Sequence, residues 1–221
     1  MIDKILDMVR PKEDEGQKAD KRREEDMQAL EQELAQILMS EQRPPEPDLR
    51  SIGLFSDVSE EKTAELIHAM LYLDELNKLT PDEEHPITFY LSTYGGSADD
   101  MFGMYDIMRV VRETTEIHTV GIGKVMSAGV ILLAAGTKGK RKIGKNCRVM
   151  IHSVIAGNHG PLHNLINEME AVEQIQQMYS DCLIAETDLT KKQLKKLLER
   201  KVNVYLSAEE AVEYGIADII I

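Results

Sequence analysis

Gly123-Lys124-Val125-Met126-Ser127-Ala128-Gly129 is the stretch from which the fold is read. An apolar extended run at 117–122 precedes it, and an apolar helical run through Leu133 follows it. Ser127 therefore stands at a strand-to-helix junction among small neighbours. The same order recurs outward along the chain. Extended runs at 52–55, 87–92, 149–151 and 216–221 alternate with helical patterns. One helix opens at Ser59, a suitable N-cap with Glu60 and Glu61 in its first turn, and runs to about residue 77. Another carries Met101, Met104, Tyr105 and Met108 on one face, a stripe that predicts core filling. A long helix is predicted over 162–185 and a short one over 191–200. Ser207-Ala208-Glu209-Glu210 is a capping box, and Gly215 closes the helix it opens. Strand–helix alternation of this kind predicts an α/β domain with a largely parallel sheet.

Residues 1–48 read differently. They hold 14 Asp/Glu against 8 Lys/Arg. Met27, Leu30, Leu34, Ile37 and Leu38 recur at three and four between residues 20 and 40, which predicts an amphipathic helix. Pro44-Pro45-Glu46-Pro47 then predicts a stiff extended linker. The expected organisation is an acidic, helical extension and linker over 1–48 and an α/β domain over 49–221.

At 221 residues and 43% hydrophobic content the chain supports one full core and an appendage. Its net charge of −13 opposes binding to nucleic acid, whose backbone attracts basic patches. No apolar run nears the ~20 residues that span a bilayer. Acids occupy the first residues where a signal peptide carries basic ones, so a cytoplasmic protein is expected. Cys147 and Cys182 fall in no C-x-x-C pattern, and His159 and His163 have no third ligand nearby in sequence. Neither a metal site nor a disulfide is expected.

Three pieces carry chemistry. Ser127 supplies a hydroxyl, His152 follows the apolar run Arg148-Val149-Met150-Ile151, and Gly95-Gly96 follows Ile87-Thr88-Phe89-Tyr90-Leu91. A serine attacks an acyl carbon only when a base takes its proton, and the oxyanion that forms needs backbone amides. Each piece alone also has a plainer reading. Ser127 can cap a helix, His152 can be a rim residue, and the glycine pair can be a tight turn. Their order and βα setting join them. The α/β-hydrolase elbow is a poor match, because Val125 stands where that motif has glycine. No phosphate-binding loop is present.

From residue 50 onward the chain resembles the Clp protease proteolytic subunit family, ClpP, of the ClpP/crotonase fold. Six ordered blocks carry the resemblance: Tyr90-Leu91-Ser92-Thr93-Tyr94-Gly95-Gly96-Ser97, Tyr105-Asp106-Ile107-Met108, Met126-Ser127-Ala128-Gly129, Ala135-Gly136-Thr137-Lys138-Gly139-Lys140-Arg141, Arg148-Val149-Met150-Ile151-His152, and the run from Leu206 to Gly215. The resemblance implies a fold of repeated ββα-type units with a protruding handle helix. It implies Ser127 as nucleophile, His152 as general base, and the amides of Gly96 and Ala128 as oxyanion hole. It also implies stacked heptameric rings that cleave unfolded proteins or peptides, fed by an ATP-driven unfoldase. The chain itself needs no cofactor on this view, and ATP belongs to the partner.

The chain departs from the family pattern in places. Asn203 stands where the third triad residue is aspartate, with Asp181 and Asp188 as nearby alternatives. Residues 1–48 do not resemble the family's short pore loops. Lys142 replaces an aromatic of the apical unfoldase pocket, while Tyr90 keeps another. The expectation is a Ser-His-Asn serine endopeptidase. The alternatives are a weakly active or non-catalytic ring subunit paired with an active paralogue, a viral capsid-maturation protease of the same fold, and, more distantly, a crotonase-type acyl-CoA enzyme.

Overall fold

The structure is a computed structural model and describes residues 22, 27–32, 49–79, 85–199 and 203–221. The chain divides into two units, Met1–Leu49 and Arg50–Ile221. In the first, residues 27–32 are helical and exposed. The rest of the expected amphipathic helix and the proline linker lie outside the described residues.

The second unit contains all the described strands and runs β1 (Ser51–Leu54), α1 (Glu60–Leu79), β2 (Ile87–Thr93), α2 (Ala98–Val111), β3 (Ile117–Met126), α3 (Ala128–Ala134), β4 (Lys142–Ile143), β5 (Arg148–Ile151), α4 (Leu162–Glu186), α5 (Lys191–Leu198), β6 (Val204–Leu206), α6 (Ala208–Glu213) and β7 (Ile219–Ile220). They form one seven-stranded mixed sheet. The α/β class and the largely parallel sheet expected from the sequence are found. Strands β1, β2, β3, β4 and β7 pair in parallel in that order.

Strand β3 positions the site, because it is long enough to serve two partners along one edge. Its middle pairs with β4 at Val120↔Lys142, and its end pairs with β5 at Lys124↔Arg148 through Met126↔Met150. Gly123, at φ 65, lies between the two pairings and permits the turn of direction there. Strand β5 is in turn paired antiparallel with β6, Val149↔Leu206 through Ile151↔Val204. Ser127 and His152 thus emerge side by side from adjacent parallel strands.

The core lies where the helices cover this sheet. Phe89 and Leu91 of β2, Met101, Met104 and Met108 of α2, and Ile131, Leu132 and Leu133 of α3 are all essentially inaccessible to solvent. Each such side chain contributes about 1.5–3 kcal/mol by burial. The helix ends follow their sequence signals. Ser97 accepts from the Asp100 amide, and Ser207 with Glu210 forms the expected capping box. Thr190 and Gln193 form a second box at the start of α5. Both thiols are free, and burial raises Cys147 and Cys182 to about 11 each. None of the described helices is long and apolar enough to cross a membrane.

Candidate active site

Ser127 is the only non-glycine residue with positive φ among the described residues, at φ 52 and ψ −121. Such a conformation costs about 1–3 kcal/mol and persists only where its surroundings determine it. They do so here on three sides. The Ser127 amide donates to the Met150 carbonyl at 2.8 Å, which ties the turn to β5. The Ser127 carbonyl accepts from the Val130 amide at 3.0 Å and from the Tyr179 hydroxyl at 3.2 Å. Gly95 presses against the turn itself. A Cβ there would lie 2.6 Å from the Ser127 Cβ, so only glycine fits, and its φ of 101 demands the same residue. Ser127 occupies the N-cap position of α3 but makes no capping hydrogen bond with its side chain. The plainer sequence reading, a serine that merely caps a helix, does not describe it.

The backbone on either side of this turn is closely held. Gly96 is held by a bridge to Val58, in which Val58 donates to the Gly95 carbonyl at 2.7 Å and Ser97 donates to the Val58 carbonyl at 3.0 Å. The Gly96 N–H takes no part in that bridge. A Cβ on Gly96 would lie 2.1 Å from the Val58 carbonyl oxygen, so this approach too needs glycine. Ala128 is the first residue of α3, where an N–H has no acceptor within the helix.

His152 follows β5 and is half-buried. Its Nδ1 meets the Ser153 carbonyl, which can only accept, so in the neutral imidazole this contact assigns the proton to Nδ1 and the lone pair to Nε2. That tautomer can take a proton from a hydroxyl. Asn203 is exposed and immediately precedes β6. The Ile151↔Val204 register, extended by one residue, sets its backbone across from His152, although Nδ1 bonds Ser153 instead. Asp181 and Asp188 are exposed, and Asp181 bonds Gln177.

Ser127, His152, Gly96 and Ala128 line one cleft of about 420 Å³. Asn203, Asp181 and Asp188 do not border it. Met101, Ile155 and Ile175 give it apolar walls, with Tyr94 and Tyr179 also against it. Sequence reasoning assembled the four residues but missed the contribution of α4, which supplies Tyr179 to the nucleophile turn and Gln176, whose Oε1 accepts from the Val154 amide at 2.8 Å. A tyrosine one residue past Met178 in an otherwise apolar stripe was the available signal. Its partner lies 52 positions away and leaves no local mark.

A mixed-sheet α/β domain with a serine, a histidine and glycine-lined backbone around one cleft has the parts that a hydrolase of the serine type uses. The family model for Clp protease matches residues 47–221. The ATP-dependent Clp protease proteolytic subunit 1 of Prochlorococcus marinus subsp. pastoris is 31% identical over 172 residues, covering 78% of this chain and 83% of the relative. The proteolytic subunit 2 of Corynebacterium jeikeium is 33% identical over 170 residues, covering 76% and 77%. The proteolytic subunit 1 of Thermobifida fusca is 32% identical over 170 residues, covering 76% and 72%. The chain belongs to the Clp protease family. It is a ClpP-like serine endopeptidase.

Proposed function

We infer that this chain hydrolyses peptide bonds of unfolded proteins or peptides with Ser127 as nucleophile, His152 as general base and Asn203 as the third member. The amides of Gly96 and Ala128 serve as oxyanion donors. The strained turn of Ser127, facing one cleft with His152 and both amides, carries this assignment. The Ser127 hydroxyl attacks the scissile carbonyl carbon while His152 Nε2 takes its proton. The tetrahedral oxyanion is held by the two amides. Collapse breaks the C–N bond as the imidazolium returns the proton to the leaving amine. Water, activated by the same histidine, then releases the acyl group. A fluorophosphonate should therefore label Ser127 and no other serine, read by mass spectrometry. Labelling elsewhere overturns the assignment.

Asn203 has a specific consequence. In a serine triad the third residue orients the histidine and stabilises the imidazolium. An amide oxygen can do the first but carries no charge for the second. What Asn203 lacks as a third member is therefore charge. Asn203→Asp should raise kcat on a short peptide by about ten-fold, and Asn203→Ala, which removes the amide oxygen that orients the ring, should lower it. Unchanged turnover in both variants, with loss in Asp181→Ala or Asp188→Ala, would assign the third position to an aspartate. A ring subunit of reduced activity beside an active paralogue is the second reading. It is favoured by Asn203, and assay of the purified chain alone decides it.

Self-association into stacked rings is also proposed. The first half of α4 exposes Leu162, Leu165, Ile166 and Met169, with Ile155 before it 81% exposed. An apolar stripe of this kind is covered by a second copy in a stable protein. Light scattering at micromolar concentration should show an oligomer, and a monomer would refute the proposal. The remaining assignments are a cytoplasmic location, an acidic extension over 1–48 ahead of the protease domain over 49–221, and feeding by an ATP-driven unfoldase.

A further inference from the structure

Two side chains of α4, one turn apart, bond to the backbones that carry Ser127 and His152. Tyr179 is 5% exposed, and its hydroxyl donates to the Ser127 carbonyl at 3.2 Å. Gln176 is half-buried, and its Oε1 accepts from the Val154 amide, two residues beyond His152, at 2.8 Å. Gln176 is itself fixed by its Nε2, which donates to Ser180 Oγ at 3.3 Å, while Ser180 Oγ donates to the Gln176 carbonyl at 2.8 Å. We propose that Gln176 and Tyr179 are positioning residues, which clamp the nucleophile turn and the base-bearing segment to one rigid helix and so set the distance between them. The proposal rests on Ser127 and His152 as nucleophile and base.

The physical case has three parts. Ser127 holds a backbone conformation that relaxes when its supports are removed. The Tyr179 hydroxyl bears on the carbonyl of that very residue from a buried side chain, where a hydrogen bond is stronger than at the surface. On the other side, β5 ends at Ile151, and the residues from 152 to 160 form no helix or strand. Position along that stretch is not fixed by ladder bonds, and the Gln176–Val154 bond supplies a fixed point next to the base. Residues at i and i+3 lie on one face of a helix, so both bonds share one reference. A displacement of about 1 Å between nucleophile and base costs on the order of 100-fold in rate.

The test uses the full chain and a short fluorogenic peptide, with turnover expressed per fluorophosphonate-titrated site so that partial unfolding does not imitate a slower site. Tyr179→Phe keeps the ring and removes one hydrogen bond. Gln176→Met keeps the length and removes the acceptor. Gln176→Glu restores an acceptor oxygen. Tyr179→Phe and Gln176→Met should each lower kcat and the Ser127 labelling rate by about 3- to 30-fold, with KM within about two-fold. Gln176→Glu should recover most of that loss. A merely structural role predicts a lower melting temperature with kcat per titrated site unchanged, and that result overturns the proposal. So does a change confined to KM, or a Gln176→Glu variant as slow as Gln176→Met. Ser127→Ala, assayed alongside, separates the two levels. Activity surviving in it overturns the nucleophile and the clamp together, whereas its inactivity beside normal Tyr179→Phe and Gln176→Met overturns the clamp alone.

Discussion

Ser127→Ala should reduce peptide hydrolysis by at least about 10³-fold, and up to about 10⁶-fold, since removal of a nucleophile costs nearly as much as removal of a whole triad. The substitution isolates chemistry from folding for a local reason. Alanine meets the same backbone penalty at φ 52 as serine does, and the hydroxyl makes no capping bond whose loss would destabilise α3. The melting temperature should consequently stay within a few degrees of the parent. Substrate binding should persist, because the cleft walls and the amides of Gly96 and Ala128 are untouched. Retention of more than about a tenth of the parent rate, in protein free of contaminating peptidase, would remove Ser127 from the mechanism.

The second large effect concerns stability and lies away from the cleft. Glu186, the last residue of α4, is 5% exposed. A carboxylate at a helix C-terminus is unfavourable by itself. Arg112 offsets this with two bonds, Nη1 to Oε2 at 3.0 Å and Nη2 to Oε1 at 2.8 Å, and the Tyr105 hydroxyl donates to Oε1 at 3.0 Å. Arg141 Nη1 donates to the Glu186 carbonyl at 2.8 Å, and Lys138 bonds the same oxygen. Burial opposes ionisation of Glu186, but the Arg112 bond and charge, the Tyr105 bond and the Lys138 charge outweigh it and hold the carboxyl below its ordinary value. A carboxylate whose folded pKa is depressed stabilises the fold above its unfolded pKa and loses that contribution as pH falls through the folded one. Glu186→Ala removes the carboxylate partner of Arg112, whose remaining bond is to the Gly136 carbonyl at 3.2 Å, and should cost about 3 kcal/mol at pH 7, the low end for a broken buried pair. In urea titrations at fixed protein concentration, the deficit of Glu186→Ala should narrow as the pH falls below the ordinary glutamate value of about 4.3, where the unfolded carboxyl takes up a proton, and on through the lower folded value. A deficit of the same size at pH 7 and pH 3 would show that the loss is one of packing rather than of ionic bonding.

Much of this molecule is written locally, and the exceptions are instructive. Ser207 and Glu210 announce α6 because both members of a capping box lie within one turn. The methionines of α2 announce its buried face because their spacing is helical. Ser127, His152 and Gly95-Gly96 are legible because each sits where an apolar run breaks. Strand β4, of two residues, and β6, of three, carry too few positions for an alternation to register. They exist because β3 and β5 offer open edges. Strand β3 runs four residues beyond Ile122, through a glycine that by itself suggests an end, because β5 takes over as its partner there. The last strand is shorter than its apolar run suggests. The Ile216 amide bonds back to Ala211, and Asp218 is tied by its amide and carboxylate to Arg141. Strand geometry begins only at Ile219. Gln176 and Tyr179 were illegible for the same reason as β6: what they bond to is set by tertiary approach.

The antiparallel pairing of β5 with β6 also has a temporal side. Ser127 leaves the ribosome early, Gln176 and Tyr179 about fifty residues later, and Leu206 only after 79 more residues than Ser127. At a synthesis rate of roughly 5–20 residues per second this gap lasts about 4–16 seconds. Until it closes, β5, the strand just ahead of His152, has one neighbour instead of two. The growing chain therefore carries the Ser127 hydroxyl well before the sheet beside His152 is complete.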